Sequence, residues 1–202
     1  SLVLDDDGTP LWTTGLGHPD HFYVGDIDPE RAGLEIYYGI EPRRKSNTMC
    51  LVEASSGRIL WGHDEPTQHI HSSGLCSDID PTHPGSECYS GERDLQDKRW
   101  LRNCKGQVIS TADLGGLAPR AAYWDADPQR ELILGRRIAK YRGPDLAPRL
   151  EGTVIAVADV MGDWREEIIT SVPGQLRIYT TTIPAVDRRT ALMQDPIYRI
   201  DV

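Results

Sequence analysis

An acidic motif comes round four times in this chain, and nothing else in the sequence restricts its fold as tightly. It reads Gly25-Asp26-Ile27-Asp28-Pro29, closing at Gly33-Leu34-Glu35-Ile36, and again Ser77-Asp78-Ile79-Asp80-Pro81, closing at Gly85-Ser86-Glu87-Cys88. A shorter copy runs Asp125-Ala126-Asp127-Pro128 to Glu131-Leu132-Ile133, and a looser one has Asp159, Gly162-Asp163 and then Glu166-Glu167-Ile168-Ile169. Internal repetition decides architecture ahead of any single residue. A second element is interleaved with the first. Val3 to Trp12, Leu51 to Trp61 and Leu101 to Ile109 each place two short apolar runs on either side of a polar turn with glycine, which is a hairpin signal. Hairpin, loop and acidic motif together hold about four short strands over roughly 45 to 50 residues, the size of a propeller blade.

No window carries a sustained helical period with caps at both ends, and 14 prolines and 19 glycines punctuate the chain. The expected fold is all-β: a β-propeller segment of about four blade-like units over residues 1–202, without a separate second domain. Ser1 enters directly on a strand and Ile200-Asp201-Val202 reads as a strand cut short, so the segment is expected to belong to a larger propeller. The remaining blades would come from the same or another chain, because exposed blade edges seek partners.

The net charge of −9 argues against nucleic acid, whose phosphates need a basic surface, and against anionic membranes. No apolar run is long enough to span a bilayer, and no secretory leader stands at Ser1, as in a mature chain that has lost one. The four cysteines lack any C-x-x-C pair and so fit no zinc pattern. Cys88 and Cys104 flank one hairpin region and could pair; Cys76 could equally be a buried free thiol.

The acidic copies place carboxylates at alternating loop positions ahead of a Glu that opens an apolar strand. Hard oxygen donors so grouped suit calcium, which takes six to eight of them. Asp26, Asp28 and Glu35, then Asp78, Asp80 and Glu87, are the expected structural ligands; Asp125, Asp127, Asp159 and Asp163 follow at altered spacing. The competing reading is turn chemistry, since Asp and Asp-Pro often begin turns. Turns alone do not ask for a later Glu in every copy.

The stretch from Gly162-Asp163-Trp164-Arg165-Glu166-Glu167-Ile168-Ile169 through Leu176-Arg177-Ile178-Tyr179-Thr180-Thr181-Thr182-Ile183-Pro184 is highly specific, as is Leu192-Met193-Gln194-Asp195-Pro196-Ile197-Tyr198-Arg199. With Ser55-Ser56-Gly57-Arg58-Ile59-Leu60-Trp61-Gly62 and the second acidic copy, these resemble the C-terminal half of the family 11 rhamnogalacturonan lyases. The resemblance implies an eight-bladed propeller with structural calcium, secreted or periplasmic, that cleaves the rhamnogalacturonan I backbone of pectin by β-elimination. The family carries a G-H-G-D-x-x-H-V-G-D motif near its cleft. Here it reads Gly17-His18-Pro19-Asp20-His21-Phe22-Tyr23-Val24-Gly25-Asp26. His18 and Asp20 match positions that help hold cleft calcium, and Tyr23 replaces the second His. Two further departures follow. Ser73 takes the place of a family Arg. In the family's N-G-T-K segment, Gly152 and Thr153 stay as substrate-binding positions while Val154 replaces a Lys implicated in catalysis. A family Tyr lies beyond Val202.

β-Elimination at a uronate removes the C5 proton beside a carboxylate, so a cation must neutralise the charge that develops. A base with a pKa near the working pH then takes the proton. His71, two residues from the lost Arg, is the first candidate base and His69 the second, since histidine titrates near neutrality; Arg120 could supply a cation. Against these stand a solvated loop for the two histidines and a surface salt bridge for Arg120. Trp12, Trp61, Trp100, Trp124 and Trp164 could stack on sugar rings, although Trp12 and Trp61, at the ends of equivalent strands, look like packing residues. The expected activity is a calcium-dependent lyase acting on an acidic polysaccharide. Its rival is a calcium-stabilised propeller that binds glycan or a protein partner without catalysis.

Overall fold

The computed structural model describes residues 1–147 and 149–202, the side chain of Asp201 aside. Its strands follow the repeats. β1 (Leu2–Leu4) and β2 (Pro10–Thr13) make a ribbon. β3 (Pro19–Gly25), β4 (Glu35–Ile40), β5 (Met49–Glu53) and β6 (Ile59–Gly62) make one four-stranded sheet. β7 (Leu75–Ser77), β8 (Glu87–Gly91), β9 (Arg99–Arg102) and β10 (Val108–Ser110) make another. Two three-stranded sheets follow: β11 (Arg120–Ala122), β12 (Glu131–Leu134) and β13 (Arg137–Ala139), then β14 (Thr153–Ala158), β15 (Glu167–Val172) and β16 (Gln175–Tyr179). Neighbouring strands are consecutive in sequence and antiparallel. The chain is therefore all-β with several antiparallel sheets. The acidic loops join the first and second strands of each larger sheet, and the three glycine-turn hairpins fall at β1–β2, β5–β6 and β9–β10.

The chain divides into two compact units, Ser1–Asp78 with Thr82–Pro119, and Ile79–Pro81 with Arg120–Val202. In the first unit, β4 is buried along its whole length, so it does not show the half-polar alternation of a solvated sheet. The cause is packing on both faces. Ile36, Tyr38 and Ile40 join Leu16, Cys50 and Val52 under Val3 and Trp12 of the ribbon. Tyr37 instead joins Met49, Leu51, Ile70, Cys88 and Trp100. In the second unit, Trp124, Ile133, Ile138, Leu150 and Ile168 form the core.

Two expectations need correction. Ile200-Asp201-Val202 is not a truncated strand: Pro196–Asp201 form a short helix, α1, that follows a 3₁₀ turn at Leu192–Gln194. Asp195 caps it by accepting the Ile197 N–H at 2.8 Å, and Pro196 sits in the first turn, where no N–H is needed. The helix docks through Tyr198, whose hydroxyl donates to Glu166 Oε1 at 2.8 Å and accepts the Asp159 N–H at 2.9 Å. The second correction concerns Cys88 and Cys104, which do not pair; all four cysteines are free. Cys104 Sγ lies 3.0 Å from the Pro84 carbonyl oxygen, while Cys88 faces Cys76 across β7–β8 with the sulfurs 3.8 Å apart.

Candidate active site

Strand register brings the site together. Pro19 pairs with Ile40 at the start of β3, and the Glu41 N–H donates to the His18 carbonyl at 3.0 Å. Glu41, the first residue past β4, is thereby fixed beside His18 and Asp20. The segment Gln68–His71 approaches from the β6–β7 connection. Glu92 takes the Gln68 and His69 N–H groups on its two oxygens, each at 2.7 Å, Ile70 is fully buried, and the His71 N–H reaches the Gly91 carbonyl at 3.3 Å. With Ile70 anchored between them, His69 and His71 turn the same way, as i and i+2 residues of an extended segment do.

Five side chains converge as a result. His69 Nε2 is 3.1 Å from Glu41 Oε1, His18 Nε2 is 3.8 Å from Glu41 Oε2, and His71 Nδ1 is 3.2 Å from Asp20 Oδ2. The rings of His69 and His71 meet edge to face at 5.2 Å. His18, Asp20, His69 and His71 were all expected from sequence; Glu41 was not. The buried nitrogens His69 Nε2 and His71 Nδ1 have no aligned hydrogen bond, and ligand atoms of His18, Asp20 and Glu41 lie within 4.8 Å of one another, as do those of Glu41, His69 and His71. The two carboxylates, Asp20 and Glu41, offer hard oxygen donors of the kind calcium takes, with His18 as an unusual nitrogen neighbour.

His21 supports this cluster from beneath. It is buried, its Nδ1 lies 2.6 Å from the Ser72 carbonyl oxygen and its Nε2 2.9 Å from Ser90 Oγ, which is 2.7 Å from Tyr37 Oη. Burial holds its pKa below the ordinary value. The neutral ring must then donate from Nδ1 to Ser72 and accept at Nε2 from Ser90, so the Tyr37 hydroxyl donates to Ser90. Ser72 has φ +69°, and its N–H donates to Asp20 Oδ2. Two departures from the family pattern also meet, since the Tyr23 hydroxyl donates to the Ser73 carbonyl at 2.9 Å.

The other residues expected to act on substrate, Arg120, Gly152 and Thr153, belong to the second unit. Arg120 Nη1 donates to the Val154 carbonyl at 2.9 Å, while Gly152, at φ +90°, leads into β14 at Thr153.

In three of the acidic loops the closing Glu accepts the loop's own backbone amides. Glu35 Oε2 accepts the Ile27 and Asp28 N–H groups at 3.0 and 3.1 Å. Glu131 Oε2 accepts those of Trp124 and Asp125 at 2.9 and 3.2 Å, and Glu167 Oε2 those of Val160 and Met161, both at 3.0 Å. The closing Glu therefore has a role that turn chemistry alone did not supply: it reaches back and satisfies the amides of its own loop. In the first copy the Lys105 ammonium lies 2.7 and 2.9 Å from the two Asp28 oxygens, and Asp26 is exposed. In the third, Lys140 Nζ lies 2.6 Å from Asp125 Oδ2, 3.5 Å from Glu131 Oε1 and against Asp127. In the fourth, Asp159 accepts the N–H groups of Gly162, Asp163, Trp164 and Leu192, and Asp163 pairs with Arg165 at 2.6 Å. An ammonium and a calcium ion would claim the same oxygens, so the first and third donor sets as arranged do not fit a resident calcium. In the second copy Asp80 and Glu87 are buried and Asp78 is half-buried.

The description "Rhamnogalacturonan lyase family 11, C-terminal domain" matches residues 1–202. The chain is 34% identical over 222 residues to the rhamnogalacturonan endolyase YesW of Bacillus subtilis strain 168, covering 100% of this chain and 33% of that protein. It is 34% identical over 227 residues to the rhamnogalacturonan exolyase YesX of the same organism, covering 100% of this chain and 37% of the relative. Among solved structures, the YesW crystal structure superposes with a TM-score of 0.84 at 33% identity, over 98% of this chain and 35% of that one. The Bacillus licheniformis rhamnogalacturonan lyase PL11 superposes with a TM-score of 0.83 at 31% identity, again over 98% and 35%. The chain thus spans about a third of the length of the relatives it matches.

Proposed function

The chain belongs to the C-terminal domain family of the family 11 rhamnogalacturonan lyases, and from that premise we propose that it forms part of a calcium-dependent polysaccharide lyase acting on rhamnogalacturonan or a related uronate polymer by β-elimination. The observation that carries the reading is the convergence of His18, Asp20, Glu41, His69 and His71. Calcium held by Asp20 and Glu41 would supply positive charge opposite the uronate carboxylate. The protein's own part is proton transfer. Asp20, beside His71 Nδ1, favours the tautomer with its proton on that nitrogen and leaves Nε2 to take the C5 proton. His69, set against Glu41, is the second basic group in reach.

The proposal includes a propeller completed by the rest of the protein. It is supported by apolar side chains on the outward faces of the terminal sheets: Leu2, Leu4 and Leu11 on the ribbon, and Leu176 and Ile178 on β16. A polymer of this size is met outside the cytoplasm, so the proposed location is secreted or periplasmic.

One observation favours the non-catalytic rival. Ser73 and Val154 stand where the family has cationic side chains: the Ser73 carbonyl accepts from Tyr23, the Val154 carbonyl accepts from Arg120, and the Val154 side chain packs against the core of the second unit. The deciding experiment incubates the intact protein with rhamnogalacturonan I and other uronate polymers, with calcium or with chelator. Ultraviolet absorbance then follows new unsaturated uronate ends. A calcium-dependent rise is expected, reduced on the order of 100-fold in His71→Ala with an unchanged melting temperature. No rise from a calcium-bound, folded protein that retains polymer in a binding assay would establish the rival.

A further inference from the structure

The lysines inside the acidic loops are not surface decoration. Asp28 and Glu131 are almost wholly buried, with side chains 4% and 1% exposed, and buried carboxylates are costly unless paired. Lys105 reaches Asp28 from the β9–β10 turn and also meets Glu30 at 2.7 Å. Lys140 follows β13 and reaches back into the loop that opens its own sheet. The two copies thus recruit a lysine from different places in the fold, and both ammoniums end among the oxygens that the repeat assembles. Distances of 2.6 to 2.9 Å are those of charge-assisted hydrogen bonds. Calcium would sit only slightly closer, at about 2.3–2.6 Å from its oxygens. The fourth copy reaches the same end with backbone amides and Arg165.

We propose that Lys105 and Lys140 are internal counter-cations standing where a divalent ion would bind, so that the first and third acidic loops fold without metal, and that removing the Lys140 ammonium turns Asp125, Asp127 and Glu131 into a calcium-class site. Burial leaves the Glu131 carboxyl raised to about 7, even with the Trp124 amide and the Lys140 charge both lowering it. The burial and the lysine charge belong to a carboxylate cage organised around one cation. A cavity of about 130 Å³, lined by Asp127, Glu131, Lys140 and Tyr141 among others, lies beside the ammonium.

The test uses the intact protein, bound calcium counted by equilibrium dialysis and melting followed in chelator and in millimolar calcium. Three proteins are compared: wild type, Lys140→Met, which keeps the apolar stem, and the double variant Asp125→Asn/Asp127→Asn. Wild type and the asparagine variant are expected to bind the same number of calcium ions. Lys140→Met is expected to bind one more, to melt lower in chelator, and to regain more in calcium than wild type does. Loss of one calcium ion in the asparagine variant would overturn the proposal, as would a folded Lys140→Met that gains none. If Lys140→Met folds in neither condition, the asparagine comparison decides alone. The His18–Asp20–Glu41 cluster is common to all three proteins, so the differences do not depend on whether the lyase reading holds.

Discussion

At the scale of single residues, the position of His71 depends on a glycine two strands away. His21 pairs with Gly39 across β3–β4, and a Cβ at Gly39 would lie 2.0 Å from the His21 ring. The ring cannot retreat, because Ser72 and Ser90 hold its two nitrogens. Gly39→Ala should therefore cost on the order of 2 kcal/mol through overpacking. It should also loosen Ser72 and, through it, Asp20 and His71. A thermal melt measures the first effect; an unchanged melting temperature would show that His21 has room the geometry denies it. The histidines and Asp20 were legible in sequence because they stand in two short motifs. Glu41 was not, because its partnership with His18 arises from strand register over a distance no local pattern carries. Lys105 was hidden for the same reason, since Asp28 lies far from it along the chain; Lys140 was hidden because it meets its loop only once β12 and β13 have folded back.

Among the elements, hairpin turns and tryptophans form a second repeat that the sequence displayed without explaining. Trp12 Nε1 donates to the Ala54 carbonyl at 3.0 Å and Trp61 Nε1 to that of Cys104 at 2.8 Å. Each indole lies on the glycine of the next sheet's hairpin turn: a Cβ on Gly57 would approach Trp12 to 2.6 Å, and one on Gly106 would approach Trp61 to 2.6 Å. These two tryptophans are therefore packing residues between sheets. Gly106 also has φ +84°, so Gly106→Ala adds left-handed strain of about 1 kcal/mol to an overpacking cost of about 1–3 kcal/mol. Trp61→Phe, which forfeits chiefly one hydrogen bond, should cost about 1 kcal/mol. Urea melts of the two variants give the order; a larger loss for Trp61→Phe would mean that the indole, not the bare turn, sets the approach of the sheets. The strands were readable here because hairpin turns announce themselves locally. α1 was missed because its signals are an Asp-Pro start and a tertiary anchor, Tyr198, rather than a helical period.

For the whole molecule, exposed apolar side chains line up on two sheet faces. On the ribbon, Val3 and Trp12 pack inward while Leu2, Leu4 and Leu11 are each more than half exposed. On β16, Leu176 and Ile178 are 69% and 60% exposed. Ile169, paired with Ile178, shares their face because cross-strand partners point the same way. Lone exposed apolar residues need no explanation, but aligned ones on a sheet face mark a contact surface. Such a face is what a neighbouring blade would cover in a propeller extending beyond these residues, and the chain spans only about a third of the relatives it matches. The double substitution Leu176→Ser/Ile178→Ser separates the alternatives. If another sheet covers the face, the isolated 202-residue chain should keep its stability within about 0.5 kcal/mol, as surface substitutions do, and become more soluble. The intact protein should lose stability by about 1.5–3 kcal/mol per side chain no longer buried. Equal melting temperatures for substituted and unsubstituted intact protein would mean that this face meets solvent, and that the sheets do not continue past β16.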